Sequence, residues 1–207
     1  MNSSSSAAHQ KSVRSWRWRT FALLVAVLLS IGLAIWHYLS KGDWFAVNEF
    51  DAIASGFAAV FEVNEIQPHE FMQRRAAVGP LLIVDVRQSV EQNVSIIPGA
   101  VLMSPRDRLA AQSDYQEFIA RHADNPDALV VVYCAGGYRS ARAISEVSDA
   151  PVSMLNLHGG IVAYANAGGK LIDPVDGQPV RKVHGYNAYW AGFVQPPNEG
   201  VSEPAVD

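Results

Sequence analysis

Short apolar runs alternate with helix-like spacings of apolar residues over the second half of the chain. Continuous or alternating apolar stretches predict strands, one starting at Ile66 and others over residues 81–86, 97–103, 129–133 and 152–157. Apolar residues at helical spacing predict helices over residues 68–75, 114–122 and 160–167. Apolar strands that alternate with helices indicate an α/β fold, in which helices cover both faces of a mostly parallel sheet.

The first forty residues follow a different pattern. Residues 1–19 are polar, serine-rich and basic, which predicts no fixed structure. Residues 20–39 contain no Asp, Glu, Lys or Arg, and about twenty such residues can span a bilayer as one helix. The basic residues before this segment predict a cytoplasmic N-terminus and a domain on the outer, periplasmic side of the inner membrane. A cleaved signal peptide is the alternative interpretation of residues 20–39.

Two aromatic segments flank the α/β region. Residues 43–63, within a connector at 40–63, have Phe50, Phe57 and Phe61 on one helical face. This pattern predicts a helix that lies on the bilayer, packs on the domain or binds a partner. The second segment runs from His184 to Trp190, and it either packs onto the domain or borders a site. Residues 194–207, rich in proline and acidic residues, are predicted to form a disordered tail.

The distribution of charge along the chain limits the classes of molecule that the protein could bind. The chain has 16 basic and 20 acidic residues, and four of the basic residues (Lys11, Arg14, Arg17 and Arg19) lie before the uncharged segment at 20–39. The rest of the chain contains twelve basic residues and all twenty acidic ones, so the body of the protein is acidic. An acidic body argues against nucleic acid as a partner, whereas a small anion needs only a local site.

The most informative stretch for chemistry is the glycine loop that follows the predicted strand at 129–133. It begins with Cys134, the single cysteine of the chain, and continues through Gly136 and Gly137 to Arg139 and Ser140. Loop amides and a helix that starts near Ser140 should favour an ionised, nucleophilic thiol. Arg139, with Arg142 as a further candidate, would attract an anionic substrate. A buried and inert cysteine remains the alternative from these residues alone.

Four motifs in order resemble the rhodanese-like family of sulfurtransferases, which carry sulfur as a cysteine persulfide. CAGGYRSA at 134–141 resembles the family's active-site loop, and IVDVR at 83–87 resembles its strand ending in Asp-x-Arg. IPGA at 97–100 and LHGGIVAYANAGGKL at 157–171 resemble its Pro-Gly-Ala turn and its closing helix. The resemblance implies a rhodanese-like domain over residues 64–193, built on a mostly parallel five-stranded sheet.

The resemblance also implies roles for individual residues. Cys134 would be the catalytic nucleophile, and Asp85 and Arg87 would support the domain structurally, as would Glu91. The donor would be a small sulfur-containing anion such as thiosulfate, or a protein persulfide, and the acceptor a thiol or cyanide. No metal or organic cofactor is implied. The residues that would bind the substrate are Ala135, Gly136, Gly137, Tyr138, Arg139 and Ser140.

Other functions remain open alongside the enzyme. The chain could instead be a membrane-tethered sulfur carrier or redox-interaction module without turnover, or a purely structural relative. Cysteine-dependent phosphatases place five residues between cysteine and arginine, whereas four separate Cys134 from Arg139, which favours sulfur over phosphate. His158, which precedes two glycines, is expected at the surface or in a turn.

Overall fold

A computed structural model describes residues 24–36, 43–77, 79–104, 106–147 and 149–202. The chain divides into two compact units between Phe45 and Ala46. In the first unit, residues 24–36 form helix α1 with exposed side chains. No helix in the described part of the chain combines the length and the apolar character needed to cross a membrane. The predicted tail at 1–19 lies outside the described residues, as do residues 20–23 and 37–39 of the predicted span.

A five-stranded sheet forms the centre of the second unit, and all its neighbouring strands are parallel. The spatial order is β1-β5-β4-β2-β3, and the parallel pairing agrees with the predicted α/β fold. In chain order the strands are β1 Glu65–Ile66, β2 Leu81–Asp85, β3 Ala100–Leu102, β4 Leu129–Tyr133 and β5 Ser153–Leu157.

Helices cover both faces of this sheet and enclose two apolar cores. Alternate residues of β4 point to opposite faces, so that Val131 lies in one core and Val132 in the other. The predicted helices form within a few residues of their expected ends. Their bounds are α2 Asp43–Phe61, α3 Pro68–Ala76, α5 Ser113–His122, α6 Tyr138–Ser145 and α7 Gly160–Asn166. Two short helices were not predicted, namely α4 Ser89–Gln92 and the 3₁₀-helix η1 Leu109–Ala111.

The C-terminal segment is ordered further than predicted. It contains β6 Leu171–Ile172, β7 Pro179–Val180, β8 Lys182–His184, helix α8 Ala188–Ala191 and β9 Glu199–Val201. Strand β9 pairs in parallel with β8, so the prediction of a disordered tail is wrong for residues 194–202. Residues 203–207 lie outside the described residues. Gly200 makes the pairing possible, because a Cβ atom there would lie 2.1 Å from the Ala191 carbonyl oxygen.

A buried ion pair closes the carboxyl end of β2. Asp85 and Arg87 are both fully buried, and Arg87 donates to the two Asp85 carboxylate oxygens from Nε at 2.9 Å and from Nη2 at 2.7 Å. Arg87 also donates to the Ser95 carbonyl oxygen at 2.6 Å. Burial alone would lower the pKa of the Arg87 guanidinium, but the charge and hydrogen bonds of Asp85 outweigh burial and raise it. The pair therefore fixes the segment between β2 and β3 against the sheet.

Replacing Arg87 by Met should destabilise the fold strongly, because it leaves the Asp85 carboxylate buried without a cation. We expect the free energy of unfolding to fall by about 3–5 kcal/mol. The measurement is chemical denaturation followed by circular dichroism. The control is Arg142→Met, which breaks an ion pair with Glu146 whose side chains are 64% and 48% exposed. That variant should lose less than about 1 kcal/mol, and equal losses in the two variants would contradict the prediction.

Candidate active site

The loop that follows β4 lies at the carboxyl edge of the sheet, where parallel sheets place their ligand sites. Strand β4 ends at Tyr133, Cys134 begins the loop, and α6 begins at Tyr138. The helix starts two residues earlier than expected because Gly137 has a φ of 106°, which turns the chain directly into the first helical turn. Cys134 to Gly137 are all buried, and Tyr138 is about half exposed.

Two polar groups lie beside the Cys134 sulfur. The Gly137 N–H donates to Sγ at 3.1 Å, and Ser140 Oγ lies 3.5 Å from the same atom. The Gly137 amide is also at the amino end of α6, where the helix dipole favours negative charge. The amide and the dipole can both stabilise negative charge that develops on the sulfur during a reaction. The thiol side chain itself is only 2% exposed, so the sulfur lies beneath a cover rather than at an open surface.

Helix α7 holds the loop from the opposite side. The N–H groups of Ile161 and Val162 donate to the carbonyl oxygens of Cys134 and Ala135 at 2.9 Å and 3.2 Å. This close approach requires Gly160, because a Cβ atom at that position would lie 2.3 Å from the Cys134 oxygen. Gly160, the first residue of α7, is therefore required by the loop, whereas a Cβ atom at Gly159 would meet Ala163 and Phe50.

Arg139 is tied to Glu91, which is fully buried. Its Nη1 and Nη2 atoms donate to the two Glu91 carboxylate oxygens at 2.6 Å and 2.8 Å. Its guanidinium carbon also lies 4.8 Å from the centre of the Tyr186 ring. Burial would lower the pKa of Arg139, but the hydrogen bonds to Glu91 and the nearby Cys134 sulfur raise it. Glu91, predicted only as a structural residue, thus orients the cation of the loop.

Arg142 does not belong to the site. It is exposed and its Nε atom donates to Glu146 at 3.0 Å, so the prediction that it might attract substrate is wrong. The reason is its helical spacing, because a carboxylate four residues further along the same helix face captures the guanidinium.

Aromatic side chains cover the loop. The Tyr138 ring lies edge-on to Phe57 and Phe61 of α2, with ring centres 5.3 Å and 5.2 Å apart. Trp190 of α8 lies against Gly136, where an added Cβ atom would be 3.1 Å from the indole ring. We call Phe57, Phe61, Tyr138 and Trp190 the aromatic cap. The connector helix thus packs on the domain, and the segment from His184 to Trp190 both packs on it and borders the site.

His158 lies in the turn between β5 and α7, as one of the two expectations had it, but it is not at the surface. Its side chain is 4% exposed, with Nδ1 2.9 Å from Glu65 Oε2 and Nε2 2.7 Å from Asp51 Oδ1. The hydrogen bond to Glu65 raises the pKa of His158 most, and the one to Asp51 adds to it, while burial opposes both. The sequence analysis also missed Asn156, which is fully buried and bonded to Ser140. A polar residue within an otherwise apolar strand was the available signal.

Gly160→Ala should displace the loop, because the added methyl group meets the Cys134 and Ala135 carbonyl oxygens at 2.3 Å and 2.6 Å. Gly168→Ala is a matched control, since both glycines have a positive φ but an added carbon at Gly168 meets no atom within 4 Å. We expect Gly160→Ala to lose about 1–3 kcal/mol more than the control in the free energy of unfolding. Its Cys134 should also react faster with iodoacetamide. Equal stabilities and equal rates in the two variants would show that the loop tolerates the methyl group.

Comparison of the sequence with known proteins finds a family and a relative that this chain resembles. The family model of the rhodanese-like domain matches residues 67–167. A sulfurtransferase from Allochromatium vinosum is 32% identical over 114 residues, which cover 54% of this chain and 97% of that protein.

Among solved structures, a thiosulfate sulfurtransferase from Pseudomonas aeruginosa is similar with a TM-score of 0.48 at 22% identity. That match covers 62% of this chain but only 23% of the Pseudomonas protein. A rhodanese-related protein from Thermoplasma volcanium has a TM-score of 0.42 at 20% identity, over 53% of this chain and 97% of that protein. With nearly the whole Allochromatium protein matched, the chain belongs to the rhodanese-like family and is a sulfurtransferase enzyme.

Proposed function

We propose that Cys134 carries a sulfane sulfur as a persulfide between a small anionic donor and a thiol or cyanide acceptor. The observation that carries this proposal is the hydrogen bond from the Gly137 N–H to Cys134 Sγ at 3.1 Å, inside a loop of four residues closed by Arg139. Such an amide stabilises negative charge on the first sulfur, and the neighbouring guanidinium attracts an anion such as thiosulfate.

The reaction proceeds in two displacement steps. The Cys134 thiolate attacks the outer sulfur of thiosulfate, the sulfur–sulfur bond of thiosulfate breaks, and sulfite leaves with the bonding electron pair. The enzyme then holds a persulfide anion. A thiolate or cyanide attacks the outer sulfur of this persulfide, and Cys134 leaves as a thiolate. Charge and atoms balance in both steps, and no external oxidant or reductant is needed.

The aromatic cap limits what reaches the sulfur. Because Cys134 is buried beneath the cap, donor and acceptor must be narrow at the reacting end or must displace a cap side chain. Tyr138 is the cap residue with the most exposed ring, at 47%, and it lies on α6 itself. We therefore expect Tyr138 to contact the acceptor without taking part in bond breaking.

Incubation with thiosulfate should add the mass of one sulfur atom to the protein, and cyanide should then remove it as thiocyanate. Intact mass spectrometry follows the first step, and the colour of the ferric thiocyanate complex follows the second. Cys134→Ser should show neither change, because its hydroxyl is a far weaker nucleophile than a thiolate at neutral pH. If the wild-type chain gained no sulfur from thiosulfate or from any persulfide donor, the proposal would be wrong.

We also propose that residues 20–39 anchor the chain in the inner membrane with the domain on the periplasmic side. The support is in the sequence, where twenty residues without a formal charge follow four basic residues. The partners would then be the membrane itself, a donor of sulfane sulfur and a thiol acceptor outside the cytoplasm.

A reporter enzyme that is active only outside the cytoplasm, fused after Asp207, should be active in the full chain. The protein should also stay in the membrane fraction after extraction at alkaline pH. Deletion of residues 20–39 is the control and should abolish both results. A shortened protein that is released by the same extraction would instead indicate a cleaved signal peptide.

A further inference from the structure

Ser140 has one hydroxyl hydrogen and three possible acceptors. Its Oγ atom lies 2.6 Å from Asn156 Oδ1, 3.1 Å from the Gly137 carbonyl oxygen and 3.5 Å from Cys134 Sγ. A separation of 2.6 Å is at the short end of the range for hydrogen bonds between oxygen atoms. The hydrogen therefore points to Asn156, and the Ser140 oxygen faces the sulfur with a lone pair.

Glu65 determines which way the Asn156 amide faces. Asn156 Nδ2 donates to Glu65 Oε1 at 3.0 Å, and Asn156 is fully buried. An ionised carboxylate only accepts hydrogen bonds, so the amide must present its NH₂ group to Glu65 and its oxygen to Ser140. The opposite orientation would bring two oxygen acceptors together in a buried place, which is unfavourable.

Glu65 is in turn fixed by His158. Its second oxygen lies 2.9 Å from His158 Nδ1, and the other ring nitrogen lies 2.7 Å from Asp51 Oδ1 on α2. With a carboxylate at each ring nitrogen, His158 is suited to be protonated and to donate on both sides. A continuous chain of polar contacts thus leads from α2 to the sulfur through Asp51, His158, Glu65, Asn156, Ser140 and Cys134.

We propose that Asn156, oriented by Glu65, is a positioning residue of the active site. It binds the Ser140 hydroxyl hydrogen and so turns an oxygen lone pair, instead of a hydrogen, towards the Cys134 sulfur. The geometry of the thiol carries this inference, and only its meaning for sulfur transfer rests on the function proposed above.

The consequence is that the Ser140 hydroxyl donates no hydrogen bond to the Cys134 sulfur. A lone pair accepts a hydrogen bond from S–H but repels a thiolate, whereas a donated hydroxyl hydrogen stabilises a thiolate. The Gly137 N–H supplies the opposing preference.

Removing the Asn156 amide leaves the Gly137 carbonyl oxygen and the Cys134 sulfur as acceptors of the Ser140 hydrogen, and a thiolate is the stronger acceptor of the two because it is charged. The charged groups around the thiol and the amide are unchanged by this substitution, and they lie on five parts of the fold. They are Glu65 on β1, Glu91 on α4, Arg139 on α6, Asp51 on α2 and His158 after β5. The thiol of Asn156→Ala should therefore ionise at lower pH than that of the wild type.

The rate of alkylation by iodoacetamide, measured on the full chain as a function of pH, tests this without any sulfur transfer. Cys134 is the sole cysteine, so every alkylated molecule reports on it. We expect the half-maximal pH to fall by roughly half a unit to one unit in Asn156→Ala. Asn166→Ala is the control, because that amide bonds to the backbone of Phe193 and Gln195 and not to Ser140. Its midpoint should equal that of the wild type.

A double-variant cycle shows whether Asn156 acts through Ser140. In a Ser140→Ala background there is no hydroxyl to turn, so Asn156→Ala should leave the midpoint where Ser140→Ala sets it. Asn156→Leu, which removes the amide while keeping a side chain of similar volume and leaves every charged group in place, should lower the midpoint in the same direction, and it is the second variant if Asn156→Ala does not fold. An unchanged midpoint in both single variants, or an equal shift in the Ser140→Ala background, would overturn the inference.

The pH profile of persulfide formation, taken together with the alkylation midpoints, distinguishes a failure of this inference from a failure of the proposed function. A wild-type chain that takes up no sulfur would defeat the proposed function, while the alkylation midpoints would still decide the role of Asn156. Sulfur uptake by the wild type together with unshifted midpoints in the variants would defeat the inference alone. Uptake with a midpoint shifted to lower pH in Asn156→Ala would support both.

Discussion

The arrangement of the site depends on two backbone hydrogen bonds between α7 and the loop that holds the nucleophile. The N–H groups of Ile161 and Val162, at the start of α7, satisfy the carbonyl oxygens of Cys134 and Ala135. The loop can then direct the Gly137 N–H inward to the sulfur. These contacts are made by main-chain atoms. They therefore restrict position 160 to a residue without a Cβ atom, and they depend little on the identity of the neighbouring side chains. The nucleophile is therefore placed by two elements, β4 before it and α7 across from it.

Charge around the loop is arranged in pairs. Arg139 forms an ion pair with Glu91, and Arg87 forms one with Asp85 at the end of β2, the strand next to β4. Both acidic partners are fully buried, so each pair exchanges its hydration for close hydrogen bonds. The cation next to the sulfur is thus partly neutralised and fixed in orientation. An incoming anion meets a directed guanidinium and a helix amino end, and not a diffuse positive surface.

The sequence was sufficient to predict the sheet and the nucleophile because both depend on local patterns. The apolar run at 129–133 coincides with β4, and the glycine loop after it places Cys134 at the sheet edge. The surroundings of the sulfur were harder to predict because they depend on distant residues. His158 meets Glu65 from a strand far earlier in the chain, and Asn156 meets that same carboxylate. Such contacts produce no periodic pattern in the local sequence. The pairing of β9 with β8 was missed for the same reason.

The segments that cover the sulfur lie outside the part of the chain that defines the family. The family match spans residues 67–167, whereas Phe57 and Phe61 precede it and Trp190 follows it. The reactive loop and its environment are thus encoded in separate stretches of sequence. Changes in these flanking stretches can therefore alter access to the loop while the loop itself stays the same. A protein trimmed to the family boundaries would keep its nucleophile and lose the surroundings that distinguish it.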